Sequence, residues 1–249
     1  MADKLRLLVS WLLSSIALAA AGTAQAQIYW RLDTGYSKST GADIRDKNFG
    51  GLDQFGNPNY VINGDPNVTI PGKLKDVGAA FVLGTGVGTR FTRVLRGDLT
   101  LGYRGYKLDS TDGAGSNFKA NLKSLALMVN AYYENDSPSG SWKPASGSWK
   151  PYIGAGFGVA QNKFGDFSAT NSAGVTFTGP GGTKIGPAWA LMAGFGAPIS
   201  KAYTLDFGYR YIDLGKIEFA PGIIDPAGTS YDGLAGKLRA HEFFVGVRF

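Results

Sequence analysis

Cysteine is absent from this 249-residue chain, and histidine occurs once. No disulfide can brace the fold, no thiolate can hold a metal or attack a substrate, and a multi-histidine metal centre is excluded. After residue 26 no stretch approaches the roughly 18 consecutive apolar residues of a membrane-crossing helix, and helical periodicity is missing from the same region. Glycine is abundant at 37 residues, yet it follows no collagen period and forms no low-complexity tract. Without covalent staples, an exported chain of this composition needs a full core or a continuous hydrogen-bonded framework.

The N-terminus supplies the first positive signal. Lys4 and Arg6 precede an apolar run from Leu7 to Ala21, and Ala24-Gln25-Ala26 has the small-x-small form of a signal-peptidase site. The run is shorter than the about 20 residues of a transmembrane helix and has no polar face, which argues against a buried amphipathic helix. Residues 1–26 therefore read as a secretory signal cleaved after Ala26, and 27–249 as one exported domain. The formal net charge is +6 and falls by one when Asp3, Lys4 and Arg6 leave. For an exported chain, that excess points to anionic lipid headgroups and away from nucleic acid.

Eight segments of the remaining chain alternate apolar with polar or small residues at the strand period of two. They are Ile28–Ser37, Val77–Arg90, Leu95–Leu108, Leu122–Tyr133, Tyr152–Lys163, one centred on Trp189 to Gly196, Leu205–Tyr211 and the terminal HEFFVGVRF. In the third, Leu99, Leu101 and Tyr103 oppose Asp98, Thr100 and Arg104; in the fifth, Ile153, Ala155 and Phe157 oppose Gly154, Gly156 and Gly158. Connections alternate in length. Arg90 to Arg96 and Ala197 to Tyr203 allow only tight turns, whereas 38–76, 109–119, 165–184 and 215–237 are long and rich in Gly, Asn, Asp and Pro. Short turns at one end and long loops at the other describe an antiparallel meander, and an even strand number lets it close.

Alternation does not say which face points outward. A soluble, lipocalin-like barrel would turn the charged face to water and the apolar face to a ligand cavity. Three features favour the reverse. Aromatics mark the strand ends of the apolar face (Trp30, Tyr103, Tyr133, Trp149, Trp189, Tyr203, Tyr211), as interface girdles do. The other face carries mostly glycine with a few charges, which suits a narrow interior. The chain also stops on Phe249, at the end of an apolar strand. The fold expected is all-β: an eight-stranded antiparallel up-and-down transmembrane β-barrel with short periplasmic turns and long extracellular loops.

The segments RGDLTLGYRGY (96–106), PYIGAGFGVA (151–160), LDFGYRYIDLG (205–215) and the terminal FFVGVRF resemble the small eight-stranded outer-membrane proteins of Gram-negative bacteria. More narrowly, they resemble the porin-like surface-antigen branch that shares the OmpA-type transmembrane barrel. The resemblance spans the region 27–249, is strong in the third, fifth, seventh and eighth strands, and is weak in the loops. It implies an outer-membrane location, contact with outer-membrane lipids and lipopolysaccharide, and no cofactor. It also implies that Phe243, Val245, Val247 and Phe249 form the terminal signal read by the outer-membrane assembly machinery, although facing lipid would explain them equally well. No peptidoglycan-binding domain follows the barrel, so cell-wall anchoring is not expected.

Parity sends Arg31, Asp33, Arg96, Asp98, Arg104, Asp206, Arg210, Glu242 and Arg248 to the inner face. Isolated charges in a narrow lumen are costly, so they should pair. Such a network is either a fixed cross-link or a gate on a narrow ion path. His241-Glu242 is the one arrangement that touches catalysis, but neighbouring strand residues face opposite ways and no His-x-Ser motif accompanies it. GTGVG (84–88) and GAGFG (154–158) imitate a dinucleotide fingerprint without the helix that it requires, and GPGGTK (179–184) lacks the Walker spacing. Arg90, Arg93 and Arg96 flank the first tight turn, where headgroup contact and ordinary snorkelling compete as explanations. The loops, above all 38–76 with GNPNYVINGDPN, are where host or phage ligands would dock. The expected role is non-enzymatic: membrane integrity and loop presentation. A low-conductance pore for small hydrophilic solutes is the alternative.

One repeat stands out. SGSWKPASGSWKPY (139–152) carries SGSWKP twice, between the fourth and fifth strands. Trp142 and Trp149 lie an odd number of residues apart, so one continuous strand cannot turn both to lipid. Two copies are too few for a repeat fold. The second copy should open the fifth strand and the first should lengthen a tolerant turn. Deleting 139–145 should therefore leave a barrel that still assembles with a normal heat-dependent gel shift; failure to insert would make the first copy structural.

Overall fold

A computed structural model describes residues 27–40, 45–46, 77–111, 117–135, 149–170, 174, 176–220, 222–223, 230–231 and 234–249. The expected signal segment 1–26, most of the first long loop and the first SGSWKP copy lie outside the described residues. Eight long strands build the barrel: β1 (Gln27–Ser39), β2 (Ala79–Arg90), β3 (Leu95–Thr111), β4 (Asn117–Glu134), β5 (Lys150–Phe164), β6 (Thr183–Pro198), β7 (Thr204–Glu218) and β8 (Leu234–Arg248). Each pairs antiparallel with its sequence neighbour. The ring closes where β1 meets β8, from Arg31 opposite Arg248 to Ser39 opposite Ala240. Reciprocal bonds from Trp30 N to Phe249 O (2.8 Å) and Phe249 N to Trp30 O (3.0 Å) finish that seam. No open edge remains along the barrel wall, as a strand structure in lipid requires.

Several strands run further than alternation alone indicates. β3 reaches Thr111, β4 begins at Asn117, and β8 begins at Leu234, so the connection expected over 109–119 is mostly strand. Beyond the bilayer both faces of a hairpin meet polar surroundings, and the apolar period fades while backbone pairing continues. Part of the 165–184 connection is likewise ordered. Phe167–Thr170 pairs with the start of β4 and with Thr176–Gly179.

Two described tight turns share one device. In FTRVL, Phe91 N and Thr92 N donate to Leu95 O, and Leu95 N donates back to Thr92 Oγ1 at 3.0 Å. In ISKAY, Ile199 N and Ser200 N donate to Tyr203 O, and Tyr203 N donates to Ser200 Oγ at 3.0 Å. A hydroxyl residue thus caps each hairpin internally. β7 has one irregularity, a register shift between Asp213 and Lys216, where Gly215 takes φ 79° and its N–H donates to Asp213 Oδ1. A side chain there would be strained in the left-handed region.

The apolar face is turned outward. Ile28, Phe81, Ile153, Phe157 and Phe243 are all more than 60% exposed. In a water-soluble fold, burial of such residues would drive folding, so their systematic exposure marks a lipid-contacting belt.

Candidate functional site in the barrel lumen

The inner face divides into a charged half next to the tight turns and an apolar half next to the long loops. All nine inward charges expected from parity point into the lumen, and none except Arg210 has more than 8% of its side chain exposed. Nearest the turns, Glu134 accepts from Arg96 Nε at 2.9 Å and from Arg90 Nη2 at 3.0 Å, with Arg248 Nη1 at 3.4 Å. Arg248 Nη2 also donates to Asp206 Oδ1 at 2.8 Å. Asp98 takes the next level, accepting from Arg31 Nη1 and from Asn130 Nδ2, each at 2.7 Å. Arg31 also grips Asp33 at 2.9 Å. Deeper still, the fully buried Glu242 joins Arg104, whose Nη2 is 3.0 Å from Oε2, to Arg210, whose Nε is 2.6 Å from the same oxygen.

Three tyrosines complete this half. Arg96 lies 3.8 Å from the Tyr132 ring centre and 4.9 Å from that of Tyr152, which meet edge to face. Arg96 Nη2 has no hydrogen-bond acceptor, and the two rings beside the guanidinium offer its charge a cation–π environment. Tyr29 OH accepts from Arg96 Nη1 at 3.2 Å. The lumen glycines leave the room for these large groups. A Cβ on Gly194 or Gly208 would come within 2.7 Å and 2.6 Å of the Tyr152 hydroxyl. Alternating small and large residues across a narrow barrel is how its interior fills.

Among the described residues, the inner face of the loop-side half contains no charge pair of this kind. Leu108, Leu122, Ile212, Leu214, Leu238 and Ala240 are at most 3% exposed and form one apolar cluster. Its roof is aromatic: Phe219 stacks on Phe164 at 4.0 Å and meets Phe167 edge-on at 5.4 Å. Phe167 comes from the hairpin that pairs beside the start of β4, so part of a long connection contributes to this packing. Between the halves, a cavity beside Asp33, Thr100, Arg104 and Arg210 has a volume of about 10 Å³, enough for about one water molecule.

Sequence reasoning missed several of these groups. Glu134 lies one residue past the expected end of its strand, yet it supplies a fifth carboxylate beside Asp33, Asp98, Asp206 and Glu242, facing four buried arginines and the partly buried Arg210. Tyr132 and Tyr152 point inward, opposite to the girdle aromatics. The apolar half was not expected, because a glycine-and-charge interior was read for the whole barrel; Val82, Leu122 and Met128 carried the contrary signal on the inward parity. One expectation is corrected: Arg96 is 1% exposed and cannot meet headgroups, and Arg90 is turned to Glu134. Of that trio only Arg93, in the turn, is exposed.

The outward residues fall at two levels. Trp30, Tyr133, Tyr203 and Phe249 occupy the turn end, where Trp149 packs on Phe195 at 4.3 Å. Tyr103, Trp189 and Tyr211 stand toward the loop end. Phe243, Val245, Val247 and Phe249 lie on the outer face of the β8 end. His241 is on that face too, hydrogen-bonded to Tyr209 OH, while Glu242 is inside, so the two do not converge on a common site.

A closed, lipid-faced strand barrel with a paired charged interior is a transmembrane β-barrel of the outer-membrane class. Residues 7–249 match the family described as "Outer membrane protein beta-barrel domain", and the chain belongs to that family. Membership implies an outer-membrane location. Curated relatives include uncharacterized proteins of Brucella abortus (strain 2308) and Brucella suis biovar 1, each 32% identical over 142 residues, or 52% of this chain. That match spans 50% of each relative's own length. Among solved structures, Neisserial surface protein A aligns over 90% of this chain and 98% of its own, at 17% identity and a TM-score of 0.45. OprG from Pseudomonas aeruginosa aligns over 89% and 95%, at 14% identity and a TM-score of 0.48.

Proposed function

We propose that this protein is a non-enzymatic, non-conducting outer-membrane barrel that contributes to membrane integrity and presents its long loops for envelope or host contacts. The observation that carries the reading is the double filling of the lumen. A hydrophilic solute entering from the loop side would first have to displace the Phe164, Phe167 and Phe219 roof and then the apolar cluster beneath it. It would next meet Glu242 bound to two arginines and the tyrosine-flanked Arg96. Removing either layer costs packing or desolvated charge.

Export with cleavage after Ala26, recognition of the β8 terminal residues by the assembly machinery and anchoring by the aromatic girdle belong to the same proposal. So does a fixed rather than gating role for the inner charges. Proteoliposome swelling tests it: vesicles containing the barrel should swell in small sugars or amino acids no faster than empty vesicles. Swelling that rises with protein content would favour the solute pore instead.

A further inference from the structure

The outer face has a feature that neither the sealed lumen nor the lipid belt accounts for. At the loop end, just past the last apolar residues, lysines replace them. Lys107 on β3, Lys123 on β4 and Lys163 on β5 are exposed and point outward, as are Lys216 on β7 and Lys237 on β8. Register sharpens the point. Lys123 is directly opposite Lys163, and Lys216 is directly opposite Lys237. Like charges facing each other across a strand pair destabilise it, and among the described residues no carboxylate pairs with any of these four lysines. By contrast, Lys119 lies 3.7 Å from Asp109, and Arg239 lies 3.1 Å from Asp213, so nearby cations do have acidic partners.

Height identifies the missing anion. Leu125 and Val159 are the last apolar outward residues before Lys123 and Lys163, and the aromatics Tyr103 and Tyr211 stand at the same end. Aromatic girdles mark the interface of the apolar belt, so the lysines project to the level of the headgroups. We propose that the Lys123–Lys163 and Lys216–Lys237 pairs are phosphate-binding sites for lipopolysaccharide in the outer leaflet, each pair bracketing one phosphate. A dianionic group between two ammonium groups converts a cross-strand repulsion into a bridge. The site is independent of whether the lumen conducts, because all four side chains are on the outside of the wall.

The test compares K123Q/K163Q, K216Q/K237Q and the fourfold variant with the unmodified barrel. Each is reconstituted in phosphatidylcholine vesicles and in the same vesicles supplemented with lipopolysaccharide or with its dephosphorylated form. The midpoint of the heat-dependent gel shift is the readout. The unmodified barrel should melt several degrees higher with lipopolysaccharide and gain little from the dephosphorylated lipid. The fourfold variant should lose most of that gain, and each double variant part of it. In phosphatidylcholine alone the variants should melt no lower than the unmodified barrel, since only a repulsion has been removed, and this also shows that they fold. An equal gain for the fourfold variant, or an equal gain from dephosphorylated lipid, would overturn the proposal.

Discussion

Glu242→Ala is expected to destabilise the folded barrel by about 3–5 kcal/mol, the usual cost of breaking a buried ion pair from one side. The carboxylate is fully buried and is shared by Arg104 and Arg210, whose side chains are 1% and 12% exposed. Its removal strands two guanidinium groups in the middle of the lumen, where the adjoining cavity of about 10 Å³ admits too little water to rehydrate them. Glu242→Gln should fall between the two, because it keeps shape and an acceptor but loses the charge. The Arg104→Met/Glu242→Leu double variant should recover only part of the loss, since Arg104 is no longer orphaned while Arg210 still is. Urea unfolding in detergent micelles, followed by the gel shift, gives these values as a double-mutant cycle. If Glu242→Ala melts like the unmodified protein, the inner charges are solvated and the lumen is open.

Phe219→Ala is the second large effect, with an expected cost of about 3–5 kcal/mol from lost burial and the cavity left behind. Phe219 is fully buried and holds both Phe164 on the barrel wall and Phe167 on the loop hairpin. Its loss should loosen the paired segments Phe167–Thr170 and Thr176–Gly179, read as faster amide exchange there, while amide exchange around Asp98 and Glu134 stays slow. The separation matters because the two layers share few side chains. Uniformly faster exchange would mean that apolar roof and charged floor are one cooperative unit.

The wall of the barrel was legible because lipid imposes a strict period. Every outward residue from Ile28 to Leu32 or from Ile153 to Phe157 is apolar, and parity then places Arg31, Asp98 and Glu242 inside. What the period could not show lies where it stops or inverts. Glu134 and the loop-end lysines sit beyond the last apolar pair, where neither face needs lipid contact. Leu122, Ile212 and Leu238 are apolar on the inner face, and the sequence around them reads as a mixture because both faces are apolar at that level. Tyr132 and Tyr152 are inward aromatics whose partners, Arg96 and the glycines of β6 and β7, come from other strands. No single-strand pattern records such a pairing.

The claim on which the account stands is that the lumen is shut along its length, by ion pairs on the periplasmic side and by apolar packing on the outer side. Single-channel recording of the purified barrel in planar bilayers tests it most directly. The expected record is a flat baseline at moderate voltage after insertion has been verified by the heat-dependent gel shift. Stable, repeated openings of uniform conductance would contradict it.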